Sequence, residues 1–600
     1  MERVRINITR CFARALLLGL AGHDCVGSVR ATPTAASSGR RKLANSPELL
    51  GAIASLWEQS ETNRKERILR ADRTLQESPA CGDILATLTK DDVVTVARNA
   101  LAGRADSNTL AAIDFLLVPS ITYGVQVRKV CSSCADHEEG CGQSSTSYGW
   151  NQTHSGLLFL PLETVSTIES VVLKQGMSLW HILCHGTRAS TLEVPSNEWV
   201  DVSADASGAT PDAEIAVSLI FTATAGTVGV MPDYMGYAES RLRNETGEPE
   251  GLFRAYLVRQ AYATATLPLV YESRLVVKNF SDCQSAVSDK ALLVGYSEGG
   301  FAAASLANDM FGLGFDIVSL QAGGAPFRLS SEQVLTSFEQ VRNGSFQLSQ
   351  RYYISLLGSA FSSTYRDLPN FGTSQNMLDP TVREQVVALV HSGAERSELN
   401  SLNSPEDPLS ILSPALTAAM EQALDNGESD PCKTSAVVGE SDLLCRSLQE
   451  QDLTSVLEAS TYPVTICHSP DDDIIPISNL PDFAANSLLG FSESSGAHSS
   501  AAIPCFLNSV VFWANNENFD DSSLIDTTSN SCNSENLRTP APISPTNPTV
   551  STSVIATTES PTIAPVFVLS FPTTSASPTI VATEFSQFSL LFVLILIYVQ

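Results

Sequence analysis

Short apolar runs recur through the middle of the chain, separated by stretches whose apolar residues fall three or four positions apart. Gly156 to Pro161, Ser178 to Cys184, Gly226 to Met231, Ala291 to Gly295, Phe315 to Gln321 and Tyr462 to Cys467 are too short for buried helices and mostly too apolar for half-exposed strands. They predict interior strands of one sheet. Arg254 to Leu275 and Gly300 to Phe311 carry helical spacing and lie between such runs. The connections therefore predict parallel βαβ crossovers, an α/β architecture with helices on both faces of a mostly parallel sheet.

Two regions break this rhythm. Ser46 suits an N-cap with Pro47 at the first helical position, and Leu49, Leu50, Ile53, Leu56 and Trp57 share one face. Residues 45–115 are thus expected to form a helical N-terminal extension. Residues 326–460 are mixed and mostly helical, which predicts a cap inserted between two parts of the core, 116–325 and 461–516.

Charge narrows the partners. The chain holds 36 Lys and Arg against 65 Asp and Glu, a net charge of -29, and no stretch concentrates enough basic residues to grip a phosphate backbone. Nucleic acid is not expected as a partner.

The ends point to export. Arg3, Arg5, Arg10 and Arg14 precede an apolar stretch from Ala15 to Gly22 and small residues at Val26-Gly27-Ser28, so 1–28 reads as a signal peptide. Asn151, Asn244, Asn279 and Asn343 open glycosylation sequons. Residues 523–587 are dominated by Ser, Thr and Pro and predict a stalk without a core. The tail, 588–600, is apolar, but as a helix Phe588 to Val599 would rise only about 18 Å, short of a roughly 30 Å hydrocarbon core. Ser575-Ala576-Ser577, a spacer from Pro578 to Gln587 and this tail have the layout of a glycosylphosphatidylinositol attachment signal. The expected location is extracellular, secreted or anchored to the membrane through a C-terminal lipid.

Of 13 cysteines, Cys11 and Cys25 would leave with the signal segment. In an oxidising compartment the exposed remainder should pair, with Cys432 and Cys445 the best local pair. Cys131, Cys134, His137 and Cys141 could ligate zinc, but their spacing matches no common zinc motif, and disulfide bonding is expected with no metal. Cys184 and Cys467, in apolar runs, are expected to be buried thiols.

Candidate chemistry centres on Gly295-Tyr296-Ser297-Glu298-Gly299, where the run Ala291 to Val294 meets a helix. Such a junction is a nucleophile elbow: Gly295 and Gly299 let the backbone fold tightly and present the Ser297 hydroxyl near a helix N-terminus. A serine needs a base and a group to orient it. Downstream lie His391 in the cap, His468 at a strand end before Asp471-Asp472-Asp473, and His498 in a small-residue loop before an apolar helix. Upstream, Cys184-His185-Gly186-Thr187 ends a strand, and Met231-Pro232-Asp233-Tyr234-Met235-Gly236-Tyr237 follows another.

In this order the segments resemble the secretory lipases and related esterases of fungi and bacteria, within the α/β-hydrolase superfamily, over roughly Ser120 to Asn515. The resemblance implies a mostly parallel sheet of about eight strands, a helical cap shaping an acyl pocket, and ester hydrolysis through an acyl-serine without a cofactor. It implies Ser297 as nucleophile, His498 as base and Asp472 as the acid, with Asp473 and then Asp471 as alternatives. The oxyanion donors would be the amides of Glu298 and Thr187, or of Gly186 in its place. The expected substrate is a lipid or small-molecule ester. Asp233 and Tyr234 read as structural, Asp233 by bonding local backbone. A serine aminopeptidase would use the same triad, and a non-catalytic adhesion protein on this scaffold predicts a damaged one.

Overall fold

The apolar runs are strands buried on both faces. The computed structural model describes residues within 79–514, apart from 103–117, 134–152, 174–178, 200–211, 244–248, 281–287, 365–376, 403–406, 433–439 and several shorter gaps. The expected signal segment 1–28, the expected stalk 523–587, the apolar tail 588–600 and the sequon residues Asn151 and Asn244 lie outside the described residues.

The strands are β1 (Ile84–Leu88), β2 (Gly124–Ser133), β3 (Thr153–Thr167), β4 (Ser170–Leu173), β5 (Trp180–Cys184), β6 (Val228–Pro232), β7 (Leu242–Arg243), β8 (Pro249–Gly251), β9 (Lys290–Tyr296), β10 (Asp316–Gly323), β11 (Val464–His468) and β12 (Leu489–Glu493). All but the β7–β8 hairpin belong to one 10-stranded sheet, ordered β1-β2-β3-β6-β5-β9-β10-β11-β12, with β4 paired to β3. Pairings are antiparallel from β1 to β6 and parallel from β6 through β12. The chain crosses from β3 to β5, back to β6, then over to β9 and outward. That order and those strand senses define an α/β-hydrolase fold, with β1 and β4 added beyond the expected strands.

Side chains alternate between two cores, as the pleat requires. Leu158, Leu160 and Leu293 face one cluster, whereas Leu157, Phe159, Leu292 and Val294 face the other. On the first face lie α3 (Arg259–Phe280) and α4 (Glu298–Gly312); on the second lie α1 (Lys90–Ala102), α2 (Ala213–Ala225) and α12 (His498–Ala514). Each fully buried large apolar side chain contributes roughly 1.5–3 kcal/mol. Asp212 caps α2 through its side chain, and Gly226 ends the helix in the left-handed region at φ 65°.

Between β10 and β11 the chain forms α5 (Val334–Asn343), α6 (Tyr352–Thr364), α7 (Arg383–His391), α8 (Arg396–Ser401), α9 (Pro414–Asn426), α10 (Glu440–Glu450) and α11 (Thr454–Glu458). A π turn, Leu329–Gln333, leads into α5.

Three expectations are corrected. The N-terminal extension is not wholly helical in its described part: Ile84–Leu88 is an edge strand on β2, held beside it by a Cys81–Cys131 disulfide. Its solvent-side residues hid it in a helical reading. Cys467 is not a free thiol but is bonded to Cys505 in α12, while Cys184 is free and buried. The helix expected from Arg254 starts at Arg259, because Leu257 takes φ 55° and turns the chain. The Cys432–Cys445 pair is present. Cys134, His137 and Cys141 lie outside the described residues.

Candidate active site

Ser297 sits between β9 and α4 with φ 60° and ψ -126°, a conformation costing a non-glycine residue about 1–3 kcal/mol. Hydrogen bonds hold it there: the Ser297 amide donates to Gly323 O at 2.8 Å, and the Phe301 amide donates to Ser297 O at 3.2 Å. The flanking glycines are dictated by space. A Cβ on Gly295 would stand 2.1 Å from Gly299 O, and one on Gly299 would stand 2.0 Å from Cys184 O.

The strained turn directs the Ser297 hydroxyl at His498, whose Nε2 lies 2.8 Å from Ser297 Oγ. The imidazole Nδ1 lies 2.7 Å from Asp472 Oδ2. The sequence-predicted trio is therefore one hydrogen-bonded chain. With a carboxylate on Nδ1, that nitrogen carries the proton and Nε2 is free to accept one from the serine. Asp472 Oδ1 accepts from the Ile474 and Ile475 amides at 2.9 and 2.8 Å. Burial raises the Asp472 carboxyl, but the His498 bond and charge and these two amides outweigh it and leave its pKa below the usual value.

The neighbouring carboxylates serve other ends. Asp473 Oδ1 accepts from the His498 amide at 3.0 Å, and Asp471 is exposed. His468 Nε2 donates to Ile475 O at 3.0 Å and shapes the acid loop from beneath. His391 closes α7 in the cap, outside this hydrogen-bonded chain. Cap side chains reach the same loop: Gln333 Nε2 donates to Ile474 O at 3.0 Å and Gln340 Nε2 to Asp473 O at 3.3 Å.

Of the three amides considered for an oxyanion, that of Gly186 is committed, donating to Glu214 Oε1 at 2.8 Å. The alternative donor is therefore set aside. Glu214 also pairs with Arg188 at 2.7 Å and so fixes the loop after β5. The amides of Thr187 and of Glu298, the first residue of α4, remain without protein acceptors among the described residues. Sequence reading missed Glu214, whose only signal is its place in the first turn of a capped helix.

The segment after β6 braces this loop. His185 stacks on Tyr234 with centroids 4.0 Å apart, and Tyr234 and Tyr237 donate to His185 O and Arg188 O at 3.0 and 2.9 Å. Asp233 does not bond local backbone as expected. It accepts instead from Ser155 Oγ and Ser196 Oγ, both at 2.6 Å, joining β3 to a distant segment. Burial holds His185 down to about 3, so its ring is uncharged.

Above Ser297 opens a cavity that reaches solvent. Phe338, Phe346, Tyr353, Leu357, Met377 and Leu412 of the cap give it mostly apolar walls. Among the described residues no group of His, Cys, Asp and Glu is arranged to hold a metal ion, and no helix is long and apolar enough to cross a membrane. Asn343 is exposed at the end of α5, and Asn279 lies in the last turn of α3.

No protein-family profile and no curated protein matches the chain. Solved structures similar to it include a candidate hydrolase from Legionella pneumophila, at 16% identity, covering 74% of this chain and 98% of that one, with a TM-score of 0.49. A ligand-bound form of the rice cell wall degrading esterase LipA from Xanthomonas oryzae gives 16% identity, coverage of 73% and 97%, and a TM-score of 0.48. Candida antarctica lipase A gives 11%, coverage of 64% and 75%, and 0.38. The strand order and the geometry of Ser297 stand independently of these likenesses.

Proposed function

We propose that the chain is a serine hydrolase cleaving carboxylic esters with an apolar acyl group. One observation carries the reading: an intact chain from Ser297 to His498 to Asp472, set on a strained elbow beneath a cavity with apolar walls. His498 Nε2 takes the Ser297 proton as Oγ attacks the ester carbonyl carbon, and Asp472 orients the imidazole and offsets its charge. The tetrahedral oxyanion is met by the Glu298 and Thr187 amides, at the start of α4 and in the loop after β5. His498 then gives the proton to the departing alcohol, and water repeats the sequence on the acyl-serine. In shape this is the chemistry of the secretory lipases and related esterases that the motifs resemble.

Labelling with a fluorophosphonate probe tests it. Wild type should be labelled, and Ser297→Ala and His498→Ala should not; persistent labelling of Ser297→Ala would remove the assignment. A chain-length series of p-nitrophenyl esters run beside aminoacyl amides separates esterase from aminopeptidase. A stable protein that takes no label and cleaves neither class would favour the adhesion reading.

The signal segment 1–28, the sequons and the tail 588–600 support an exported, lipid-anchored form, and the disulfides suit an oxidising compartment. Release from cells by a phosphatidylinositol-specific phospholipase is the expected outcome; protein that stays bound counts against the anchor.

A further inference from the structure

The backbone of Glu298 serves the proposed reaction, and its side chain neither attacks nor transfers a proton in it. That side chain is 3% exposed and borders both the acyl cavity and a smaller one walled by Tyr234, Tyr237, Arg254, Tyr256 and Tyr262. Tyr262 OH accepts from the Leu257 amide at 3.0 Å and donates to Glu298 Oε1 at 2.9 Å. Oε2 is buried with no hydrogen-bond partner among the described residues.

Two guanidiniums lie near enough to be felt, but neither is spent on this carboxyl. Arg254 donates to Ala189 O, Arg188 O and Tyr237 OH, and Arg188 pairs with Asp212 and Glu214. A buried carboxylate met only by neutral hydroxyls, Tyr262 and more weakly Thr187, is a costly charge. Here it belongs to the very residue whose amide meets the oxyanion and lines the same cavity as Ser297, so its ionisation would add a second negative charge to a site of low polarity.

We propose that turnover requires Glu298 to be the neutral acid, its ionisation opposing the oxyanion that forms at its own amide and at Thr187. This rests on the Ser297 reading, and Glu298 is in that sense a positioning residue acting through the oxyanion donors. Burial pushes its carboxyl up to about 7, against the pull of the Tyr262 hydroxyl, Arg254, Thr187 and Arg188. The other titratable groups facing it are Tyr262 from α3, Tyr256 before α3, Tyr234 and Tyr237 after β6, Cys184 of β5, and Tyr352 and Tyr353 from α6. Burial raises every one of these, so none supplies a transition near neutrality.

The test is the pH profile of kcat for a short p-nitrophenyl ester, with Ser297→Ala subtracted as the blank. Wild type should lose about tenfold or more on an alkaline limb as Glu298 ionises, and Glu298→Gln should lose that limb while the acid limb remains. The readout is the ratio of alkaline to neutral rates, not the absolute rate. Tyr262→Phe removes the donor that favours the carboxylate and should move the limb to higher pH, which keeps the test open if Glu298→Gln does not fold. An unchanged limb in both variants, or no alkaline fall in wild type up to about pH 9, overturns the proposal. Activity or labelling that survives in Ser297→Ala instead overturns the reading beneath it.

Discussion

Cys467 and Cys505 are joined by a disulfide whose two ends bracket Asp472 and His498. One half ends β11 just before the acid loop, and the other sits in α12 just after Pro504, where the helix lacks an amide donor. The helix that opens at His498 is thus fastened to the strand that leads into the Asp472 loop by a covalent link, and the two loops are joined by Ser469 Oγ donating to Gly496 O at 2.6 Å. Replacing both cysteines by alanine should cost about 2–5 kcal/mol of stability, read as a lower urea midpoint. The rate of fluorophosphonate labelling should fall with it. An unchanged midpoint would mean the loop is held by packing alone.

Asp472 and Asp473 should separate kinetically. Asp472→Asn should lower kcat by about 10³–10⁴-fold, because an amide there cannot hold the imidazole in its working tautomer. Asp473→Asn touches only the His498 backbone amide and should cost less than about tenfold. Equal losses in the two variants would sink the assignment of the acid.

Acid should destabilise the fold well above the usual carboxylate range. Burial holds His154, His181 and His185 at about 3, against 6.5 for a free histidine. Between those values the unfolded chain binds protons that the native state refuses, so stability present above 6.5 is lost as pH falls toward 3. Each histidine contributes at most about 1.4 kcal/mol per pH unit across that window. Asp472 acts in the same sense lower down: its depressed pKa stabilises above the unfolded value of 3.8, and that contribution goes as pH falls through the folded one. Urea midpoints at pH 7, 5.5 and 4.5 should decline steadily; a flat series would contradict it.

The cavity wall should set chain length. Leu357→Trp adds bulk beneath the cap and should raise KM for long acyl esters by roughly tenfold while leaving acetyl esters within about twofold. Equal effects on both substrates would place the acyl chain elsewhere.

Gly299→Ala should be more damaging than any surface change. Its Cβ would meet the Cys184 carbonyl, a backbone atom that cannot turn aside, so a loss above about 3 kcal/mol is expected. A variant with wild-type melting temperature would show that the elbow can relax.

The sheet was legible because its strands are buried on both faces, which leaves unbroken apolar runs such as Leu292, Leu293 and Val294. Ser297, His498 and Asp472 were legible because each stands at a strand or helix end within a short, compositionally distinct loop. What escaped was set by distant partners. Glu214 occupies the Gly186 amide from 28 positions away, Asp233 reaches Ser155 from 78 positions away, and Cys505 finds Cys467 across 38. β1 escaped for a different reason. An edge strand needs only one apolar face, and Ile84, its first residue, is 52% exposed.

That edge strand is held by a covalent staple as well as by its pairing. Because Cys81 is bonded to Cys131, a protease cutting anywhere in 103–117 would sever the backbone without detaching β1 and α1 from the sheet. The nicked protein would migrate as one species without reductant and as two with it, so an N-terminal fragment found on a reducing gel would not be evidence that β1 had left the sheet.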